Sequence, residues 1–300
     1  MNIENCLICS GKTNHEILIK HREFYITKCL GCGLIQQSLY GNYERLQQVY
    51  ENIRRDRPIY NSNSIVMLKK FDIIFKDIQK YHEKPGEMLD IGCGFGTYME
   101  LFASRGWKVT GIDLSENCIN WARSKNLNCY LTSVEKFVSN RKFDLILMNH
   151  TIEHFQDPLA ILNKAKSWLA ERGILYIRVP NVDSKAVRFL KANFVGHLKP
   201  FEHLYYFNAK TLKSLITKGG FDAQIHLDLR NFLRDIITYL IRSRLILKSS
   251  WIKINYDTAG PKKKKYLFFR DFYEKLLPIL DYIPIGAKDK EVVAVVKKKR

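Results

Sequence analysis

From Glu87 onward the chain alternates short apolar runs with amphipathic stretches. EMLDIG, KVTGIDL, NCYLT, FDLILMN and GILYIRV read as five successive strands, and helical segments begin near Thr97, Glu116, Ser133 and Pro158. Strands separated by helices of this length predict an α/β fold, a doubly wound and mostly parallel sheet covered on both faces. Thr211 to Gly219 predicts a further helix ended by Gly219-Gly220, FDAQIHLDL a sixth strand and EVVAVVK a seventh. About 60 residues separate those last two strands, too many for a tight antiparallel connection, so residues 230–288 are expected to form a helical insertion. Upstream, a helix is predicted from Ser62 through Tyr81, before Pro85-Gly86 breaks the pattern. The boundary falls between Tyr40 and Tyr60, dividing the chain into a module at 1–40, a helical connector at 41–85 and the α/β domain at 86–300.

Composition narrows this picture. With 300 residues and 46% apolar content the chain can bury one full α/β core and a small attachment. The longest apolar stretch, Ile236 to Leu247, is interrupted by Arg242 and Arg244, which excludes a membrane span there. MNIENCLICS has neither a basic leader nor an apolar core of about 7–15 residues, so a cytoplasmic location is expected. The formal charge of +19 suits a polyanionic partner or an anionic membrane surface, although much of it sits in the runs Lys262 to Lys265 and Lys297 to Arg300.

Chemistry concentrates first in LDIGCGFG, where an apolar strand runs into Asp90, Gly92, Gly94 and Gly96 and then a helix. Glycines there let the backbone turn sharply and approach a ligand closely. The next strand ends in Asp113, whose carboxylate can accept from both hydroxyls of a ribose. A dinucleotide site would need G-x-G-x-x-G, whereas this pattern is D-x-G-x-G-x-G. It resembles motif I of class I methyltransferases that use S-adenosylmethionine (AdoMet), a family with a Rossmann-like seven-stranded sheet. The resemblance covers roughly residues 86–230 and the final strand. It implies that Asp113 and Leu114 hold the ribose side, that Ser133 and Val134 flank the adenine, and that Asn149 and His150, in FDLILMNHTIEHFQDP, lie near the methionine part. The family often has Asp where Ser133 stands.

Cys6-x2-Cys9 and Cys29-x2-Cys32 have the spacing of a four-thiolate zinc site, which in a reduced compartment is favoured over disulfides. Four ligands leave no open position, so the zinc is expected to be structural, in a zinc-ribbon-like module. Cys93, Cys118 and Cys129 read as ordinary core or site-lining residues. The module resembles the zinc-binding domain ahead of some bacterial sugar methyltransferases, which implies a small-molecule acceptor.

Methyl transfer requires a positioned acceptor and, for a hydroxyl or carbon acid, a base. His203 in PFEHLYYF, with Glu202 beside it, resembles the segment that supplies the base in sugar-nucleotide C-methyltransferases. A tyrosine of that segment is Pro200 here, and those enzymes carry a further C-terminal domain for which this chain leaves no room. His154 is a second candidate near the methyl group. His150 and His154 do not form the H-E-x-x-H metal pair, and His197 is uninformative. The insertion interleaves basic and apolar residues, as in RNFLRDIITYLIRSRLILK, and is expected to form a substrate lid or a contact with anionic lipid. The expected activity is AdoMet-dependent methylation of a sugar or nucleotide sugar, at oxygen or carbon. An RNA methyltransferase, gripping phosphates with basic faces, and a binding protein without turnover are the alternatives.

Overall fold

The computed structural model describes residues 5–10, 13–20, 24–39, 65–184, 202–228 and 291–298. The basic insertion, His197, Pro200 and most of the connector lie outside the described residues. Helix α1 spans Ile65–Gln79, within the stretch whose periodicity predicts it. Strands β4 (Glu87–Ile91), β5 (Lys108–Asp113), β6 (Cys129–Leu131), β7 (Phe143–Asn149) and β8 (Leu169–Pro180) follow the five apolar runs. Helices α2 (Thr97–Ala103), α3 (Glu116–Ser124) and α4 (Pro158–Trp168) link them. After the two-residue strand β9 (Tyr205–Tyr206) come α5 (Ala209–Lys218), β10 (Phe221–Asp228) and β11 (Glu291–Lys298).

The seven-stranded sheet has the order β10-β11-β8-β7-β4-β5-β6. Strand β11 runs antiparallel to β8 and β10, while the β8-β7-β4-β5-β6 pairs are parallel. Period-two alternation explains why these runs are apolar throughout: each strand feeds two cores. Leu145 and Leu147 of β7, Ile174 and Tyr176 of β8, and Val293 and Val295 of β11 face α1 and α2. Ile146 and Met148, Leu175 and Ile177, and Val292 and Ala294 face the opposite layer, with α4 and α5. Phe71 of α1 meets Phe102 of α2 edge to face, with ring centroids 5.0 Å apart.

Two local expectations are corrected. The segment at Ser133 is a turn rather than a helix, closed by bonds from the Lys136 and Phe137 amides to the Ser133 carbonyl at 3.2 and 3.0 Å. Only 11 positions lie between Leu131 and Phe143, and the next strand begins before a covering helix has room to form. Strand β8 begins earlier than GILYIRV, directly from α4, and absorbs the extra residues as an irregularity between the pairs Phe143↔Leu169 and Leu145↔Ile174.

The N-terminal cysteine segment is built on β1 (His15–Lys20), β2 (Phe24–Cys29) and β3 (Ile35–Leu39). These form an antiparallel sheet whose fourth strand is β9, through the pairs Ile35↔Tyr206 and Gln36↔Tyr205. Cys6, Cys29 and Leu34 share one core with Phe207, Leu212 and Leu215. Lys218 caps this contact by donating to the carbonyls of Leu7 and Ile8 at 2.7 and 3.1 Å. Among the described residues no helix is long and apolar enough to cross a membrane.

Candidate active site

The glycine loop between β4 and α2 places Gly92, Gly94 and Gly96 at φ of 77°, 55° and 76°, in the left-handed region. Their reasons for being glycine differ. A Cβ at Gly96 would sit 2.5 Å from Leu127, and one at Gly92 2.7 Å from Thr151. Nothing lies within 4 Å of a Cβ at Gly94, so packing within the described chain does not require that glycine to be bare. The open face at Gly94 is where a ligand can approach. Asp113 supports the loop: one carboxylate oxygen accepts from the Gly94 amide at 2.9 Å and the other from Ser115 at 2.8 Å. An ionised carboxylate offers about four lone-pair sites, so this group can also accept from hydroxyl donors. Asp90 is 3% exposed, and burial, with the charge of Asp113 added, pushes its carboxyl up to about 7.

Asn149 ends β7, and its Oδ1 is buried without a hydrogen-bond partner among the described residues, an orphan that a donor such as an ammonium group would satisfy. Ser133 sits in the turn after β6, and Val134, 4% exposed, turns its side chain into the core, so only its backbone can meet a ligand. Leu114 is 49% exposed next to Asp113. Gly94→Ala is expected to cost about 1 kcal/mol of stability through backbone strain, yet to weaken AdoMet binding by tenfold or more. Calorimetry and thermal melts on one preparation would separate the two effects, and unchanged affinity would exclude ligand contact at Gly94.

A second cluster, of histidines and carboxylates, lies at the end of β7. Because Gly92 lies against Thr151, this cluster and the glycine loop are neighbours. Thr151 opens a single 3-10 turn, Ile152–His154, that turns Glu153 inward. Glu153 is 1% exposed, and neither carboxylate oxygen has a hydrogen-bond partner among the described residues. His150 Nδ1 stands 3.7 Å away and His203 Nε2 4.0 Å away, ion-pair distances. Burial opposes ionisation of Glu153, but the surrounding imidazoles of His150, His154 and His203 outweigh it and hold the carboxyl down at about 2.

His150 adopts φ 55°, rare outside glycine, and its Nε2 faces Glu291 of β11 at 3.4 Å. Desolvation lowers its affinity for a proton, while Glu291 and Glu153 raise it further, for a net upward shift. Arg178 of β8 pairs with Glu291 in turn. His154 donates from Nδ1 to the Glu202 carbonyl, and its ring meets His203 edge to face with centroids 4.8 Å apart. The fold thus gathers His150, His154, Glu202 and His203, with His203 only 4% exposed. Sequence reading passed over Glu291 and Arg178. The available signal was an acidic residue heading the apolar run EVVAVV and an arginine inside ILYIRVP.

The four N-terminal cysteines also converge. All four sulfurs lie within 4.8 Å of one another, with Cys6 to Cys32 at 3.4 Å and Cys9 to Cys29 at 3.8 Å. A tetrahedron with zinc–sulfur bonds of ~2.3 Å has edges of about 3.8 Å, so the set has the size zinc requires. Each pair forms a tight loop, closed by Ser10 N to Cys6 O at 3.2 Å and Gly33 N to Cys29 O at 2.8 Å. Burial raises Cys9 and Cys32, whereas at Cys29 burial is outweighed by the backbone amides of Cys32 and Gly31 and the Thr13 side chain, which lower the thiol to about 6.

Residues 68–224 match the family described as a methyltransferase domain. A ubiquinone biosynthesis O-methyltransferase from Actinobacillus pleuropneumoniae serotype 7 (strain AP76) is 34% identical over 112 residues, covering 33% of this chain and 48% of that protein. The corresponding protein of Coxiella burnetii (strain Dugway 5J108-111) is 29% identical over 149 residues, covering 46% and 64%. The chain therefore spans about half to two thirds of these curated relatives. Among solved structures, the plantazolicin methyltransferase BpumL in complex with a triazolic desmethylPZN analogue and SAH aligns with a TM-score of 0.51 at 18% identity, covering 85% of this chain and 91% of that one. Phosphoethanolamine N-methyltransferase 2 of Haemonchus contortus in complex with AdoMet aligns with a TM-score of 0.55 at 17% identity, covering 88% and 63%. A glycine loop tied to Asp113, a seven-stranded sheet with one reversed strand and the matched span of residues 68–224 together place the chain in the methyltransferase-domain family, on the class I fold.

Proposed function

We propose that this chain transfers the methyl group of AdoMet to a small polar acceptor, a sugar or nucleotide sugar, with His203 as the general base. The observation that carries the reading is the junction at Gly92 and Thr151, which puts a ligand-facing glycine loop beside a buried histidine and carboxylate cluster. The residues fit the donor: Asp113 keeps acceptor capacity for ribose hydroxyls, Gly94 leaves open space, and the orphaned Asn149 Oδ1 suits the methionine ammonium. When bound, AdoMet supplies an electrophilic methyl on a sulfonium. The chain's own task is to orient the acceptor and to take its proton on the His203 imidazole. Thiolates of Cys6, Cys9, Cys29 and Cys32 hold a structural zinc in this reading.

The curated relatives are named as O-methyltransferases of ubiquinone biosynthesis, which favours oxygen as the accepting atom and makes a phenolic hydroxyl the second reading. Contact with anionic lipid through residues 230–288 remains part of the proposal, with nucleic acid the less favoured partner. Incubation with methyl-labelled AdoMet and fractionated cell extract, followed by mass spectrometry, tests the function. Label in nucleotide sugars supports the first reading, label in aromatic precursors the second, and label confined to RNA overturns both. His203→Ala should lower turnover by about 100-fold or more while AdoMet affinity stays nearly intact. Transfer near the wild-type rate would remove His203 from the role.

A further inference from the structure

We propose that Glu153 is the positioning residue of this site, the buried carboxylate that orients His203 and couples it through His150 to Glu291. The inference rests on the base reading above. Its starting point is a carboxylate that is 1% exposed and has no hydrogen-bond donor among the described residues, an arrangement that costs stability unless neighbouring charge compensates it. The compensating groups are three imidazoles from two separate parts of the chain. His150 comes from the end of β7, His154 from the same turn as Glu153, and His203 from the segment leading into β9.

Backbone geometry holds the arrangement. The Leu204 amide donates to the Glu153 carbonyl at 2.9 Å, and the Leu204 carbonyl accepts from the Gln37 amide at 2.8 Å. His203 is therefore locked one residue from a bond that fixes it against Glu153, and strand β3 clamps the same residue from the other side. A carboxylate facing Nε2 favours the ring form with its proton on that nitrogen. When the ring takes the acceptor's proton it becomes an imidazolium, and the fixed negative charge of Glu153 stabilises it. No proton moves to Glu153, which stays ionised throughout.

His150 limits how much of that negative charge His203 receives. Its two nitrogens face Glu153 at 3.7 Å and Glu291 at 3.4 Å, and Arg178 of β8 shares Glu291. The alternative, a cation ligated by Glu153, His154 and His203, whose ligand atoms lie within 4.8 Å of one another, is decided by the manganese arm of the test.

Histidine titrations followed by NMR on the full chain, assigned with His150→Gln and His203→Gln, test the proposal without a known acceptor. In the wild type, His150 should titrate above the ordinary value of about 6.5. Glu153→Gln, which keeps shape but not charge, should lower the midpoints of both His150 and His203, and Glu153→Asp should largely restore them. S-adenosylhomocysteine binding by calorimetry reports whether each variant is folded. Midpoints unmoved in a folded Glu153→Gln would overturn the proposal. If that variant does not fold, a wild-type His150 midpoint at or below the ordinary value overturns it instead. One equivalent of manganese(II) that selectively broadens His154 and His203 would also overturn it, in favour of ligation. With the labelled donor and the extract fraction that accepts label, Glu153→Gln should lose about 100-fold in rate. Failure of His203→Ala to slow transfer would refute the base reading alone, leaving the titration result to stand or fall separately.

Discussion

Asp90→Asn should make the ligand-free protein more stable at about pH 8, while weakening its hold on AdoMet. Asp90 keeps its proton up to about 7 in the folded chain, against 3.8 ordinarily, because burial and then the charge of Asp113 disfavour the anion. With the folded value raised, the folded state binds the proton more tightly than the unfolded state. Stability from this group is therefore present below the unfolded value and is lost as pH rises through the folded one. At about 1.4 kcal/mol per pH unit, the full penalty above neutrality is roughly 4 kcal/mol. Asparagine removes the ionisation, so the melting temperature at about pH 8 should rise by ~5–10 °C, with little change at about pH 4. A melting temperature that is unchanged or lower at the alkaline end would mean that Asp90 is neutralised by another route. Saturating AdoMet should stabilise the wild type more than the variant, because a cationic ligand relieves the repulsion that the variant lacks.

Stripping the cysteine site should be the most damaging change to the whole molecule. Elemental analysis of the purified chain is expected to give one zinc per chain, and a strong chelator should lower the melting temperature by more than about 5 °C. Apparent binding energies of about 10–16 kcal/mol for four-ligand zinc in small peptides show how much folding such a metal can support. The loss should reach the catalytic side, since Cys29 and Leu34 share a core with Phe207 and Leu212. Cys9→Ser should reproduce the effect with one ligand removed. A chain that melts at the same temperature with and without chelator, and carries no zinc, would refute the assignment.

The sheet was legible because its strands are apolar on both faces and separated by amphipathic helices, a pattern that few folds share. Gly92, Gly94, Gly96 and Asp113 were legible for a related reason: their backbone and hydrogen-bonding requirements are local, within a strand, a turn and the next strand. The cysteine pairs were readable from spacing. What escaped is long-range. Glu291 joins His150 only because β11 inserts beside β8, and strand order is not written in local periodicity. Nothing local marks Glu153, because its burial depends on a segment about 50 positions later. The turn at Ser133 was mistaken for a helix because a short amphipathic stretch carries the same pattern whether or not a strand interrupts it.

The pairing of β3 with β9 has a consequence for how the protein is made. Tyr206 hydroxyl donates to Gln37, 169 positions earlier, and the backbone pairs Ile35↔Tyr206 and Gln36↔Tyr205 join the same two distant parts of the chain. At translation speeds of about 5–20 residues per second, β1 to β3 wait on the order of ten seconds or more for their fourth strand. Until then β3 presents an unpaired edge. Early capture of zinc would let the nascent chain hold that edge in shape while the domain that completes it is still being synthesised.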